Sequence, residues 1–265
     1  NIDIEIRGIN AFTFILIVAV LLQIIFFIPS FLLKTEKYYD LVGSLTYVTT
    51  VSLAYFAVEN KTMIDSIIYF YVMVWALRLG IYLFRRVRND GKDVRFEKAK
   101  RHFFWFLQYW MGQALWVALT ACAAIIAILS PEDDTLPVLA IFGMALWLSG
   151  FTIESISDYQ KRAFRKENNP REAFIHTGLW ARSRHPNYFG EITLWTGIAV
   201  IALNTLTGIE YITLISPVFV YILLTRMSGI NMLEQIADER YGHLEQYNKY
   251  KENTPVLFLK LTKNK

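Results

Sequence analysis

The sequence predicts an all-α, polytopic membrane protein with seven transmembrane helices, its N-terminus outside and its C-terminus in the cytoplasm. Three observations carry that reading. The 265 residues are 54% hydrophobic and 19% charged, with a mean hydropathy of +0.32, which is too apolar for one soluble domain. Seven apolar runs approach the roughly 20 residues that a bilayer-crossing helix needs. The 27 Lys and Arg are also divided very unevenly between the loops that alternate across those runs.

The first run, 11 to 33, carries no charge and is long enough to stay as a span, with no signal-peptide cleavage pattern before it. The second and third, 41 to 58 and 64 to 84, are rich in Tyr and Trp, and Arg78 falls inside the third. The fourth, 104 to 129, holds Cys122, the sole cysteine, so no intramolecular disulfide and no CxxC metal or redox pair can form, and the thiol reads as a core residue. No metal site is expected. The fifth run is 136 to 156. The sixth and seventh, 189 to 207 and 210 to 226, meet at Thr207-Gly208 as a tight helical hairpin. A polar amphipathic stretch follows, with Met232, Leu233, Ile236 and Ala237 at helical spacing and Gly242 as its terminator. It reads as a lid or interfacial helix on the cytoplasmic face, or as a basic tail on anionic lipid.

Charge decides orientation. With seven spans, the loops 34–40, 85–103 and 157–188, together with the tail from Arg226, hold 24 of the 27 Lys and Arg; only Arg7 and Lys61 fall on the other side. The acidic turn Pro131-Glu132-Asp133-Asp134 suits that other, non-cytoplasmic side. The positive-inside rule therefore places the C-terminus in the cytoplasm, and topology explains the net charge of +4 with no nucleic-acid partner. The chain is expected as one integral membrane domain, 1–265, with spans one to four (11–129) forming a substrate pocket and residues 150–260 binding a cofactor.

Two polar motifs lie in the loop between spans five and six. In SDYQKRAFR, Asp158, Lys161 and Arg165 recur at three- and four-residue spacing and share one face of a helix, a phosphate seat if not merely the cations that end a span. In TGLWARSRHPNYFGE, Arg182, Arg184, His185, Asn187 and Glu191 crowd the edge of span six, where polar groups are costly unless they bind something. Glu191 alternatively caps that span.

With Gly178-Leu-Trp180, Arg184-His185-Pro186-Asn187-Tyr188-x-Gly190-Glu191 and Glu239-Arg240-Tyr241-Gly242 in order, the chain resembles the membrane sterol and steroid reductases. It is most similar to the bacterial branch of the steroid 5α-reductase family over residues 150 to 260. That resemblance implies NADPH as cofactor, with Lys161 and Arg165 on phosphates, Trp180 and Tyr188 on its rings, Arg184, His185, Asn187 and Glu191 hydrogen-bonding it, and Arg240 and Tyr241 closing over it. Arg182, Asp158 and Arg78 join the implied cofactor set. No GxGxxG occurs, so a Rossmann-type site is excluded. The implied reaction is hydride transfer to the β-carbon of a 3-oxo-Δ4 steroid or similar lipid enone, by a monomer in a bacterial inner membrane with its cofactor site on the cytoplasmic side.

The animal enzymes carry a Gln-Glu pair and a Tyr that this chain lacks at matching positions. Asp40, Tyr82 and Glu191 therefore stand as catalytic candidates, with Tyr47 and Tyr71 as further donors; an Asp40–Arg78 ion pair between spans two and three is the alternative for Asp40. The Arg-His-Pro-x-Tyr-x-Gly motif also resembles membrane methyltransferases of the isoprenylcysteine type, which bind S-adenosylmethionine. That ligand has no phosphate for Lys161 and Arg165 to hold. A lipid-binding or transport protein would require neither cluster.

Overall fold

The computed structural model describes residues 4–90, 96–130, 135–169, 172–227 and 229–260, with the side chains of 88–90 excepted. The acidic turn 131–134 and Gly91 of the Arg-rich loop lie outside the described residues. A two-residue hairpin, β1 (Glu5–Ile6) against β2 (Ile9–Asn10), precedes a chain of helices. These are α1 (Ala11–Leu32), α2 (Tyr39–Ala57), α3 (Met63–Asp90), α4 (Phe103–Leu129), α5 (Val138–Glu167), α6 (Pro186–Ala202), α7 (Ile215–Ile222), α8 (Ile230–Tyr241) and α9 (Glu245–Asn253).

Among the described residues, five helical segments are long and apolar enough to cross a membrane: Ala11–Leu32, Met63–Val87, Phe103–Leu129, Val138–Glu167 and the composite Gly208–Tyr241. Several apolar helices of this kind fit an integral membrane protein. The second and sixth expected runs are helical as well, but they do not meet that standard. Helix α6 has 17 residues, about 26 Å at 1.5 Å per residue, short of a hydrocarbon core of roughly 30 Å. Helix α2 has 19 and is diluted by Ser44, Thr46, Thr49, Thr50 and Ser52.

Helix ends depart from the hydropathy boundaries in an instructive way. Helix α5 runs to Glu167, three turns past the expected end at 156, because hydropathy marks the end of the apolar stretch while the backbone continues through good helix formers. Asp158, Lys161 and Arg165 are therefore helical. Helix α6 begins at Pro186, whose fixed φ and missing N–H suit a first helical position. Glu191 then lies in its second turn, and the reading of Glu191 as a cap fails. Thr207 instead caps the turns that follow, with its N–H donating to Glu210 Oε2 at 2.9 Å. Three-ten turns occupy Gly208–Leu214, so the expected seventh run starts irregularly, and a π-helical stretch, Leu223–Met227, follows α7. Helix α8 ends at Gly242, as its spacing predicts.

The fold divides into two compact units, Asn1–Ile141 with Ala199–Ser216, and Phe142–Ile198 with Pro217–Lys265. In the first unit α2 packs on α1, α3 and α4, and α1 packs on α4. Phe27, Tyr39, Phe96, Phe106 and Trp110 form a buried aromatic cluster there, with Tyr39 edge-on to Trp110 at 5.4 Å and its hydroxyl donating to the Tyr109 carbonyl at 2.9 Å. Phe27, Trp75 and Trp110, in the spans expected to form a substrate pocket, are core residues. Polar links tie the helices together: Gln23 Nε2 donates to Thr46 Oγ1 at 2.8 Å, and Lys100 meets the buried Glu36 at 2.7 Å.

In the second unit α5 and α6 run antiparallel and touch backbone to backbone. A Cβ on Gly150 would stand 2.5 Å from Leu194 N and 2.6 Å from the Gly190 carbonyl. One on Gly190 would stand 2.6 Å from Glu154 N, and one on Gly197 2.6 Å from Trp147 N and 2.7 Å from the Gly143 carbonyl. Glycines two turns apart on each helix thus line one seam, the close small-residue packing that apolar surroundings favour. Any side chain here must push the helices apart. Gly190→Ala is expected to destabilise the protein by about 1–3 kcal/mol through overpacking. Gly112→Ala in α4, where an added Cβ meets nothing within 4 Å, should stabilise it by roughly 0.5–1 kcal/mol. Thermal melts of both variants in one detergent check the pair, and equal shifts would remove the seam argument.

Candidate functional site

The site grows from the cationic motif at the end of α5. Past the glycine seam, the same face of α5 that carries Gly150 and Glu154 continues through Asp158 to Lys161 and Arg165. The chain then turns back through Gly178, whose φ of +62° and whose contact with Gln160 leave no room for a side chain. Gln160 Oε1 accepts from Leu179 N at 3.0 Å, and Trp180 Nε1 donates to the Ser157 carbonyl at 3.1 Å. The short helical turn Gly178–Ala181 is therefore fastened onto α5, with Trp180 buried. Lys161 Nζ rests over the Trp180 ring, 4.7 Å from its centroid.

The C-terminal segment clasps this loop from the other side. Arg184 N donates to the Pro255 carbonyl at 2.9 Å, Ser183 Oγ to the Leu257 carbonyl at 2.8 Å, and Lys260 N to the Arg182 carbonyl at 2.9 Å. Tyr250 donates its hydroxyl to the Trp180 carbonyl at 2.7 Å. Helix α9 is in turn held to α8, since Asp238 accepts from the Tyr247 hydroxyl at 2.9 Å and pairs with Lys251 at 2.6 Å. Burial holds both tyrosines above the ordinary phenol pKa, the Asp238 carboxylate adding to the effect at Tyr247, so they remain donors at neutral pH.

Between α5, the loop and α8 lies a cavity of about 180 Å³. Seven of the residues expected at a cofactor site line it: Lys161, Arg165, Trp180, Arg184, His185, Arg240 and Tyr241. The aromatic wall is completed by Phe174, whose ring centroid lies 5.2 Å from that of Tyr247 and 5.5 Å from that of Tyr250. Asp158 is buried but not on the wall, and Asn187 and Glu191 are half-buried along α6. Tyr188 stacks on the His185 ring at 5.7 Å and 15° rather than facing the cavity. Arg182 is exposed. Asp40, Tyr82 and Arg78 belong to the first unit and line none of this cavity. Arg86, two turns beyond Arg78 on α3, brings a guanidinium nitrogen to 3.4 Å from Asp40 Oδ2.

The residue that sequence reasoning missed is Glu234. One of its carboxylate oxygens accepts from Arg184 Nη1 and the other lies 2.8 Å from His185 Nε2. Its signal was present in the sequence, as a carboxylate between Leu233 and Ile236 on the apolar stripe of α8, at a position where a merely interfacial helix has no use for one. Phe174, in an irregular loop with no periodicity, left no such signal.

Electrostatically the cavity wall is basic. Four cations line it against the one carboxylate of Glu234, which is already engaged by Arg184 and His185. Among the described residues the Nε–H of Arg184 is buried and meets no acceptor, an arrangement that is costly until something supplies one. Burial lowers the His185 pKa below its ordinary 6.5, opposed by the hydrogen bond and charge of Glu234 and reinforced by Lys161 and Arg184. The imidazole is thus neutral at pH 7. Because its folded pKa is depressed, its contribution to stability is present above about pH 6.5 and is lost as pH falls through the folded value. The gap in melting temperature between the native protein and His185→Gln should therefore narrow between roughly pH 7 and pH 5. A gap that widens on acidification would mean that His185 is charged in the fold.

A family model described as a protein of unknown function, DUF1295, matches residues 26–254. No curated protein and no solved structure matches the chain. The matched stretch takes in α2 to α8, the loop 177–185 and the whole wall of the cavity, and the chain belongs to the DUF1295 family of membrane proteins.

Proposed function

We propose that this chain binds NADPH at the cavity between α5, the 177–185 loop and α8, and uses it to reduce a lipid enone of the 3-oxo-Δ4 steroid type. The observation that carries the reading is the donor set: Lys161, Arg165, Arg184 and Arg240 around aromatic walls, with the Arg184 Nε–H lacking a protein acceptor. Guanidinium forks and an ammonium suit phosphate oxygens, and aromatic faces suit the rings that a dinucleotide carries. S-adenosylmethionine, the ligand of the methyltransferase reading, brings no phosphate to this excess of cations.

A cavity of about 180 Å³ is smaller than the roughly 300–1,000 Å³ of whole-ligand pockets, so it takes the phosphate-bearing part of the dinucleotide and the remainder extends past it. In this reading Lys161 leaves the Trp180 face for a phosphate, Arg165 and Arg240 share the charge, and Trp180 and Tyr241 wall off water. When bound, NADPH supplies the hydride for the β-carbon of the enone. Asn187 and Glu191 on α6 are the groups proposed to orient the reacting end of the cofactor. The same reading takes α2 and α6 as spans despite their short apolar reach, giving seven in a bacterial inner membrane, with the C-terminus and the cavity on the cytoplasmic side and the chain acting as a monomer. The 24 of 27 Lys and Arg on one set of loops support that sidedness.

Two measurements test these proposals. Lys161→Ala and Arg165→Ala should weaken NADPH by about 1.5–3 kcal/mol and NADH by less, read as ligand-dependent melting shifts of the purified protein in detergent. A melting shift with S-adenosylmethionine and none with NADPH would replace the reductase reading by the methyltransferase one. For topology, a cysteine-reactive probe that does not cross membranes should label a cysteine placed at Thr135 of intact cells and miss one placed at Asn253. Labelling at Asn253 would put the cavity on the side without the cofactor.

A further inference from the structure

A carboxylate inside an anion-binding cavity works against the anion unless it serves another end. Glu234 reaches into the cavity from α8, yet both its oxygens are committed: one to Arg184, the other to His185 Nε2 at 2.8 Å. A carboxylate only accepts hydrogen bonds. The imidazole nitrogen facing it must therefore carry the proton, and in a neutral ring the other nitrogen, Nδ1, is then an acceptor. Among the described residues, the other charged groups acting on the ring are cations. Lys161 from α5 and the adjacent Arg184 are cations, which disfavour a charged ring, and Tyr188 from α6 stacks flat on it at 15°. The backbone of His185 is fixed as well, since its N–H donates to Ser183 Oγ at 3.2 Å and Ser183 is pinned to the Leu257 carbonyl.

We propose that Glu234 is a positioning residue that locks His185 in its Nε2–H tautomer, so that His185, on the cavity wall, keeps Nδ1 as an acceptor next to the cationic Arg184. The pair selects anions that carry an N–H or O–H donor close to the phosphate. Simple polyphosphates satisfy Arg184 alone. A nucleotide satisfies both, through a ribose hydroxyl, a base amine or a carboxamide. The ligand half of this inference rests on the NADPH reading, whereas the tautomer does not.

The test is ¹⁵N NMR of the full chain in detergent with labelled histidine; the chain has four histidines, and the spectrum of His185→Gln identifies the resonances of His185. Without ligand, Nε2 should appear as a protonated and Nδ1 as an unprotonated imidazole nitrogen. NADPH should then move Nδ1 upfield, as a nitrogen that accepts a hydrogen bond, whereas inorganic pyrophosphate should leave it in place. In Glu234→Gln, where the amide can donate as well as accept, the tautomers should mix and the preference for NADPH over pyrophosphate should fall by on the order of tenfold or more, as expected for one buried hydrogen bond of about 1.5 kcal/mol. Glu234→Asp, which keeps the acceptor, should retain the native tautomer. A protonated Nδ1 of His185 in the native protein overturns the proposal even if neither Glu234 variant folds, and so does NADPH that raises the melting temperature without moving Nδ1. NADPH that causes no melting shift at all overturns the cofactor reading and the ligand half with it, while the unliganded spectrum still decides the tautomer.

Discussion

Backbone contact between α5 and α6 is the constraint on which the rest of the second unit depends. Glycines at 143 and 150 on one helix and at 190 and 197 on the other let the two approach until a single added carbon would collide with main-chain atoms. Such a seam has one register. It brings Gly190 against Glu154, and from that point the geometry is determined in both directions: α5 continues for three more turns to Lys161 and Arg165, and α6 begins one turn earlier at Pro186. The charged end of α5 and the His-Pro-Asn start of α6 are therefore neighbours because of residues that bear no charge at all.

What the seam brings near, hydrogen bonds then close. The loop 177–185 has almost no regular structure, and its backbone groups are met by the Gln160 side chain and by the C-terminal segment, at Pro255, Leu257 and Lys260. A loop satisfied in this way has backbone partners from outside itself, as a strand in a sheet does, since every buried N–H needs a partner from somewhere. This explains how a cavity built on a loop can hold Arg184 and His185 in fixed positions, a condition for any site that recognises a ligand by donor and acceptor geometry.

Charge in the cavity shows which effect wins. Four cations around a small space repel one another, and Glu234 offsets that repulsion for Arg184 while Trp180 offers its ring face to Lys161. The neutral state of His185 follows from the same balance, with burial outweighing the attraction of the carboxylate. The basic wall and the Arg184 Nε–H that meets no acceptor among the described residues are what the proposed anion reading rests on.

Much of this was legible in the sequence. Composition and run lengths determined that the chain is helical and apolar enough for a membrane, because burial in lipid demands long uncharged helices and leaves few other solutions. Spacing alone placed Lys161 and Arg165 on one face, and the two motifs marked five of the residues that line the cavity, with Arg240 and Tyr241 marked by the C-terminal Glu-Arg-Tyr-Gly element. Tertiary structure decided the rest. Helix α5 outruns its apolar stretch, so hydropathy could not find its end. Glu191 lies past the first turn of α6 because the helix begins at a proline, a boundary that the apolar pattern hides. Arg86 meets Asp40 through a contact 46 residues apart in the chain, and Glu234 meets Arg184 across 50. Periodicity reports which face of an element is buried, but not which element will be its neighbour; that choice is made by packing, and here it is made at the glycine seam.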